Sequence, residues 1–325
     1  RRLARWPTSA KVFTRPDGTA LREGDTLAQP DLAATLEAIA AKGTDGFYQG
    51  QVAEKLVRGV HDAGGMLSLD DLKNYQVVIR EPVRGSYRGY DIVSMPPPSS
   101  GGVVLIETLN ILEQFKMRDL GHGSVASLHL LIEAMKRAYA DRARYLGDPA
   151  FAEAPLARLT AKGYGARLAE AINLDHAARA ADVASAPAAP REGSDTTHFS
   201  VVDRFGNAVS NTYTLNFSYG VGLVADGTGV LLNNELDDFT AAPGAANAYG
   251  LVGFEANLPG PGKRPLSSMT PTIVLKNGKV VLVTGSPGGS RIISAVLQVI
   301  VNVLDFELDA AHAVAAPRLH QQWLP

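Results

Sequence analysis

The feature that most constrains this sequence is an abrupt change of character at Thr196. The twelve residues before it, ASAPAAPREGSD at 184–195, are mostly Ala, Pro and Gly and offer almost nothing to bury. The residues from 196 to 203, TTHFSVVD, alternate and carry β-branched and aromatic side chains, as a β-strand does. The pattern predicts a linker, from about residue 177 to 195, that ends where a strand begins.

A threonine at such a boundary has a chemical use if the chain is cut in front of it. Cleavage between Asp195 and Thr196 frees the α-amine, so that one residue supplies a hydroxyl nucleophile and a base beside it. An α-amine titrates at about 7.7–8.0, which suits it to accept a proton from a hydroxyl near neutral pH. The alternative is that Thr196 is an ordinary threonine that opens a strand.

Composition excludes several classes of protein. With 325 residues, 46% of them hydrophobic, the chain can bury a large core. A net charge of −2 provides no basic field for nucleic acid, and no apolar run is long enough to span a bilayer. There are no cysteines, which rules out disulfides and thiolate chemistry. The seven histidines lack ligand spacing, so neither a metal nor another cofactor is expected.

The coarse pattern is helical before Thr196 and mainly β after it. Pro30 and Gly43 bracket a helix whose apolar face is formed by Leu32, Leu36 and Ile39. Further segments predict a capping box, a hairpin, a stiff PPPSSGG connector and two more helices, at residues 68–71, 83–93, 96–102, 105–112 and 128–139.

Two hairpins and a buried helix are predicted after Thr196. The first hairpin pairs residues 197–202 with 208–215, and the second pairs 272–276 with 279–284 around Asn-Gly. A helix that is apolar nearly all round follows at 292–303. Helices, then strands, then helices favour a layered α/β arrangement with a mostly antiparallel sheet.

The segment TGSPGGSR, at 284–291, joins the last strand to the buried helix. Gly288 and Gly289 can turn two backbone N–H groups toward an anion at the positive end of the helix dipole, as in an oxyanion hole. A phosphate-binding loop is the rival interpretation, although no Lys follows the glycines. A plain strand-to-helix turn is the third.

Two polar clusters remain open on the residues alone. Ser267 and Ser268 are adjacent hydroxyls in a loop, and such pairs are often turn formers. The segment NNELDDF, at 233–239, concentrates three carboxylates and two amides that can bind a cation, chelate a metal or remain solvated.

Four blocks in this order resemble the γ-glutamyltranspeptidases: TTHFSVVD at 196–203, LLNNELDDF at 231–239, KRPLSSM at 263–269 and TGSPGGSR at 284–291. The first half resembles that family's large subunit in LDDLKNY and PPPSSGG, at 69–75 and 96–102. The resemblance implies a four-layer αββα N-terminal nucleophile hydrolase fold with two stacked, mainly antiparallel sheets. It also implies autocleavage and transfer of a γ-glutamyl group from glutathione-like donors to water, an amino acid or a peptide.

The resemblance implies four catalytic residues. Thr196 would be the nucleophile in both autocleavage and turnover, and Thr214 would support its amine by hydrogen bonding. Gly288 and Gly289 would form the oxyanion hole.

Six further residues, Tyr249 among them, are implied to bind the donor, and five of them would hold its head group. Asn216, Glu235 and Asp238 would hold its α-amino group, and Ser267 and Ser268 would help to hold its α-carboxylate. Acids suit an ammonium and hydroxyls suit a carboxylate, so chemistry and resemblance agree.

The segment 243–254 is similar to the family's lid loop, and Tyr249 would be its aromatic tip. Residues 1–195 would be the large-subunit portion and 196–325 the small-subunit portion of one intertwined domain. The family's N-terminal segment, which supplies an arginine to the donor carboxylate, and its C-terminal strands are expected outside this sequence.

Other functions stay open at this point. A related amide hydrolase, of the cephalosporin acylase or poly-γ-glutamate depolymerase type, is one alternative, and an inactive form that keeps the fold is another. The resemblance also implies a periplasmic or secreted protein, although the first residues lack the apolar core of a signal peptide.

Overall fold

The computed structural model describes residues 2–184 and 196–324. The chain divides into two compact units, Arg1–Ile79 with Leu215–Asn234 and Arg80–Thr214 with Glu235–Pro325. Each unit therefore contains residues from both sides of the predicted cleavage position.

The first unit is helical. Its helices are α1 (Pro7–Phe13), α2 (Pro30–Lys42), α3 (Asp45–Tyr48), α4 (Gly50–Asp62) and α5 (Leu69–Asn74), with a 3₁₀ turn at Leu3–Arg5. The predicted capping box at the start of α5 is confirmed, because the Ser68 hydroxyl accepts from Asp71 N–H and the Asp71 carboxylate accepts from Ser68 N–H.

Helix α2 has its predicted ends but not its predicted buried face. Pro30 is its first residue and Gly43, with φ of 60°, follows its last. Leu36 is 56% exposed, whereas Thr35 is buried and donates to the carbonyl of Thr228 at 2.8 Å. The prediction that Leu36 belongs to the covered face is therefore wrong. The segment around Thr228 covers the neighbouring residue Thr35 and accepts its hydrogen bond.

The second unit combines helices with antiparallel sheet. Its strands are β1 (Val83–Tyr87), β2 (Tyr90–Ser94), β3 (Thr197–Val202), β4 (Ala208–Tyr213), β5 (Thr272–Lys276) and β6 (Lys279–Thr284). Its helices are α6 (Gly101–Leu112), α7 (Met117–Leu120), α8 (Val125–Tyr145), α9 (Leu156–Leu159), α10 (Lys162–Glu170), α11 (Ala180–Val183), α12 (Arg291–Leu304) and α13 (Ala310–Ala315). Two 3₁₀ turns lie at Glu235–Asp238 and Glu255–Asn257. The predicted hairpins are confirmed.

Four strands form one sheet in the order β1-β2-β5-β6, and every neighbouring pair is antiparallel. The central pairing joins β2 to β5, with Ser94 opposite Thr272 and Asp91 opposite Leu275. Because β2 precedes Thr196 and β5 follows it, this sheet is shared by the two predicted subunit portions.

Strands β3 and β4 form a separate two-stranded ribbon. It is tied to the larger sheet by hydroxyls: Ser210 Oγ donates to Thr284 O at 2.9 Å and accepts from Thr272 N at 3.0 Å. Ser200 Oγ donates to Val283 O at 3.3 Å. The ribbon therefore lies against the end of β6 that leads into the glycine loop, residues 284–291.

The core of the second unit is built around α6. Every residue of this helix is buried, and it packs on β1, β2, α8, α10 and α12. Most residues of α6 and α12 are apolar, and a helix that is apolar on nearly every side must be covered on nearly every side.

Part of the predicted linker is ordered. Residues Ala180–Val183 form a helical turn, and the indole N–H of Trp323 donates to the carbonyl of Ala180 at 3.0 Å. The remainder, 185–195, lies outside the described residues. Within residues 2–184 and 196–324, no helix is long and apolar enough to cross a membrane.

Candidate active site

Thr196 and Thr214 meet at the open end of the β3–β4 ribbon. Thr197 is paired with Tyr213, so the two threonines are the next residues beyond that pair. Thr196 Oγ1 donates to Thr214 Oγ1 at 3.3 Å. The structure thus brings the predicted nucleophile and its predicted supporting residue together, whereas Asp195 lies outside the described residues.

His198 lies two residues further along β3 and was not singled out from the sequence. Its Nδ1 is 2.8 Å from Thr212 Oγ1, its Nε2 is 3.0 Å from Ser200 Oγ, and burial lowers its pKa. A Cβ on Gly285 would lie 2.2 Å from the imidazole ring. The imidazole is therefore the surface on which the start of the glycine loop rests, and only glycine permits that approach.

The glycine loop, residues 284–291, has the geometry of an anion-binding turn. Gly288 and Gly289 have φ of 128° and 55°. Their carbonyls accept from Arg291 and Ile292 N–H at 3.0 and 3.1 Å, at the start of α12. Over the described ranges, no backbone hydrogen bond uses the N–H of either glycine. Two donors at a helix N-terminus can stabilise a developing negative charge.

The loop borders an open groove of about 680 Å³. Its wall includes Ser286, Pro287 and Gly288 on the loop, Arg291 on α12, and His320 on the C-terminal segment. The groove provides room for a small molecule beside Gly288, whereas Gly289 and Thr196 are not among its lining residues.

Tyr249, the predicted lid tip, packs on the same loop. A Cβ on Gly289 would lie 2.5 Å from the Tyr249 ring, and the tyrosine is only 2% exposed. Asn247 Oδ1 accepts from Tyr249 N and Leu251 N, and Gln322 Nε2 donates to Tyr249 O. The predicted lid is therefore held against the glycine loop by contacts that a larger residue at 289 would break.

Glu235 and Asp238 form a pair of neighbouring carboxyl groups, at the first and last positions of one 3₁₀ turn. Burial, followed by the neighbouring Glu235 charge, raises the pKa of Asp238 well above its usual range. Burial raises the pKa of Glu235 to about 7. The pair therefore retains a proton at neutral pH unless a cation occupies the site.

The segment 96–102 braces the serine loop at 265–269. Ser99 and Ser267 form a parallel bridge, with Ser267 N donating to Pro98 O at 2.8 Å. Ser100 Oγ donates to Ser267 O at 2.8 Å. Ser268 is buried, and its hydroxyl accepts from Arg142 Nη2 at 3.4 Å. Sequence reasoning identified both serines but neither Ser100 nor Arg142.

Asn216 lies in the first unit, whereas the other nine predicted site residues lie in the second. It is buried with φ of 71°, and its Nδ2 donates to Asn234 O at 3.0 Å. Asn234 Oδ1 accepts in turn from Phe217 N at 2.9 Å. The two amides fix the ends of the segment 215–234.

A search for metal-binding groups among the described residues gives a negative result. There, no group of three or more His, Asp or Glu side chains is placed to hold an ion. The arrangement instead offers hydroxyls, backbone N–H groups and a carboxyl pair.

Comparison with known proteins shows the family. The gamma-glutamyltranspeptidase model matches residues 1–325. The chain is 51% identical over 317 residues to the glutathione hydrolase proenzyme of Escherichia coli strain K12, covering 98% of this chain and 55% of that protein. It is 53% identical over 308 residues to the glutathione hydrolase proenzyme of Pseudomonas sp. strain A14, covering 95% and 53%.

The protein belongs to the gamma-glutamyltranspeptidase family, and the chain spans about half the length of the curated relatives it matches. Its fold is also similar to the crystal structure of cephalosporin acylase from Bacillus halodurans. That match has a TM-score of 0.80 at 28% identity, and covers 96% of this chain and 53% of the acylase chain.

Proposed function

We propose that the protein is a γ-glutamyl transferase and hydrolase that matures by autocleavage before Thr196. The observation that carries this proposal is the Thr196–Thr214 hydroxyl contact of 3.3 Å at the open end of the β3–β4 ribbon. Membership of a family whose curated relatives are glutathione hydrolase proenzymes supports it.

In the proposed reaction, Thr196 Oγ1 attacks the γ-carbonyl carbon of the donor. The Thr196 α-amine takes the hydroxyl proton, and Thr214 Oγ1 orients that amine. The N–H groups of Gly288 and Gly289 stabilise the oxyanion while the tetrahedral intermediate lasts. Collapse breaks the amide bond, the proton passes to the leaving amine, and a γ-glutamyl-threonine ester remains.

Water or the amine of an amino acid or peptide then attacks the ester carbonyl. The Thr196 α-amine takes a proton from the attacking group, and Thr196 Oγ1 recovers a proton as the ester bond breaks. The product is glutamate with water, or a new γ-glutamyl amide with an amine. Each step balances without metal or redox cofactor.

The donor head group is bound by charge complementarity in this proposal. Glu235 and Asp238 receive the α-ammonium, and Ser267 and Ser268 receive the α-carboxylate. Tyr249 covers the acyl group from the lid loop. Pairing with the ammonium compensates the buried carboxylates, which explains why the site tolerates two acids in one turn.

The fold and its cellular setting form part of the same proposal. In this proposal the four-stranded sheet and the β3–β4 ribbon belong to the inner layers of a four-layer αββα fold, and residues 1–195 and 196–325 become its large-subunit and small-subunit portions after cleavage. The protein is exported, to the periplasm or beyond the cell, where glutathione-like donors are hydrolysed.

Acylase activity is the second candidate, favoured by the similarity to the Bacillus halodurans cephalosporin acylase. The two candidates differ in the donor. A γ-glutamyl donor carries an ammonium for Glu235 and Asp238, whereas a glutaryl donor has the same chain length and no ammonium.

The discriminating experiment compares γ-glutamyl-p-nitroanilide with glutaryl-p-nitroanilide on the complete gene product. We expect a preference for the γ-glutamyl donor of up to roughly 10⁴-fold in kcat/KM, because a glutaryl group leaves buried carboxylates without a partner. Asp238→Ala should erode this preference by weakening the γ-glutamyl substrate. Equal rates on the two donors would favour the acylase.

A further inference from the structure

Arg142 is a buried cation in the interior of the second unit. It lies on α8 and is 3% exposed. Across the described ranges, the ion pairs within 4.0 Å include none that involves Arg142. Arg137, five residues earlier on α8, is also buried but forms a salt bridge to Glu133 at 2.6 Å. A buried guanidinium without a carboxylate in contact is costly, so its place calls for an explanation.

The guanidinium of Arg142 is directed at hydroxyls. Its Nε donates to Ser100 Oγ at 2.9 Å and its Nη2 donates to Ser268 Oγ at 3.4 Å. Ser100 Oγ in turn donates a hydrogen bond to the carbonyl of Ser267 at 2.8 Å, so that Ser100 links Arg142 to Ser267. One side chain thus reaches both positions of the serine pair, one directly and one through Ser100.

The charge of Arg142 acts on the carboxyl pair as well. Burial lowers the pKa of Arg142, and the nearby Asp238 carboxylate opposes that change. The reverse influence is also present, because Arg142 lowers a pKa of Asp238 that burial and Glu235 raise. The guanidinium therefore lies close enough to Asp238 to stabilise its charge, although the two form no direct ion pair.

We propose that Arg142 is a positioning residue for the donor head group: it fixes the Ser268 hydroxyl and supplies a buried positive charge that acts on Asp238. The proposal rests on the function proposed above. Because Arg142 is nearly inaccessible, it acts through Ser268, Ser100 and Asp238 and does not itself contact the donor. It is distinct from the arginine that the family resemblance places outside this sequence.

The test is a kinetic comparison of Arg142→Lys and Arg142→Gln in the processed, complete gene product. Arg142→Lys keeps the charge but loses the guanidinium group, which donates to two hydroxyls at once. This variant should raise the KM for γ-glutamyl-p-nitroanilide about tenfold with kcat changed less than threefold. Arg142→Gln also removes the charge and should raise KM about a further tenfold. Equal KM values for the two variants would overturn the electrostatic part of the proposal.

A double-mutant cycle with Ser268→Ala tests the route of action. If Arg142 acts through the Ser268 hydroxyl, Arg142→Lys should raise KM much less in the Ser268→Ala background than in the unmutated one. The same factor in both backgrounds would show independent effects and overturn the proposal.

Arg137→Lys is the matched control, because it alters another buried arginine of α8, five residues away. It should lower thermal stability and leave KM unchanged. If neither Arg142 variant folds, Ser100→Ala removes the hydroxyl that links Arg142 to Ser267 and should raise KM about threefold. An unchanged KM in Ser100→Ala would then overturn the proposal.

The outcomes separate this inference from the proposed function. Unmutated protein that releases no nitroaniline from the γ-glutamyl donor would overturn both. Active unmutated protein, together with unchanged KM in the Arg142 variants, would overturn the role of Arg142 alone.

Discussion

The two hairpins after Thr196 are packed differently. The β5–β6 hairpin adds to a four-stranded sheet, and Val274 at its centre is fully buried. The β3–β4 hairpin forms its own ribbon, and Phe199 and Val201 are 46% and 51% exposed. Apolar burial holds the first, and hydroxyl contacts from Ser200 and Ser210 to β6 hold the second. The proposed nucleophile, Thr196, therefore adjoins the hairpin whose position depends most on directional polar contacts.

The largest effect is expected from Thr196→Ala. Without the hydroxyl, neither the preceding carbonyl nor a donor can be attacked, so the protein should remain a single polypeptide and turnover should fall at least about 10³-fold. Intact mass spectrometry and nitroaniline release measure the two losses. Thr196→Ser, which keeps a hydroxyl, should still be cut, and a processed Thr196→Ala protein would contradict the assignment.

The next largest effect is expected from a glycine in the loop 284–291, compared with a glycine in the β5–β6 turn. Gly289→Ala places a Cβ 2.5 Å from the Tyr249 ring at φ of 55°, and should lower kcat about 10²–10³-fold by displacing the loop that carries the N–H donors. Gly278→Ala in the β5–β6 turn has φ of 75° and nothing within 4 Å.

Gly278→Ala is therefore the matched control for backbone strain alone. It should reduce stability and leave kcat within about twofold. Equal losses of kcat in the two variants would mean that strain, and not the arrangement at Gly289, controls turnover.

A third prediction tests the packing difference itself. Val274→Ala opens a cavity in the covered sheet and should lower the free energy of unfolding by about 2 kcal/mol. Val201→Ala removes a half-exposed side chain from the ribbon and should cost less than about 0.5 kcal/mol. Urea unfolding of the uncut Thr196→Ala protein gives both values, and similar costs would refute the contrast between the hairpins.

The smallest effect is a dependence of stability on pH. Because the folded-state pKa of Glu235 is raised from 4.5 to about 7, folded protein keeps a proton that unfolded protein loses between these pH values. The contribution of Glu235 to stability is therefore retained at low pH and lost as pH rises through about 7. In uncut protein, Glu235→Gln should gain about 1–2 kcal/mol relative to unmutated Glu235 at pH 8 and nothing at pH 4.

Glu54→Gln, at an exposed position on α4, is the control for loss of a surface carboxylate and should show no such gain. A Glu235→Gln advantage that is independent of pH would mean that the substitution acts through packing and not through ionisation.

Local signals predicted the elements of the fold well. Pro30, Gly43 and Asn277-Gly278 act through their own backbone preferences, so the ends of α2 and the β5–β6 turn followed from the sequence. Which faces are covered depends on distant chain segments. Leu36 was expected in an apolar face and is exposed, because burial is decided by the segment around Thr228.

The candidate site divides in the same way. Thr196, the glycines and the serine pair lie in motifs and were found from the sequence. Arg142 lies in a helix outside these motifs, and His198 lies within the block 196–203 without a role that the pattern reveals. Their partners at Ser268 and Gly285 are more than 80 residues away in the sequence. Only the folded chain brings these pairs together.

The β2–β5 pairing has a consequence for the molecularity of folding. Before cleavage, the partners opposite Ser94 and Asp91 are tethered by the intervening chain, so unfolding and refolding are first-order events. After cleavage at Thr196 the same ladder joins two polypeptides, and refolding becomes a second-order encounter that weakens on dilution. Once cleaved, the protein would therefore depend on slow unfolding to remain folded. A molecule that unfolds completely can dissociate into its two polypeptides.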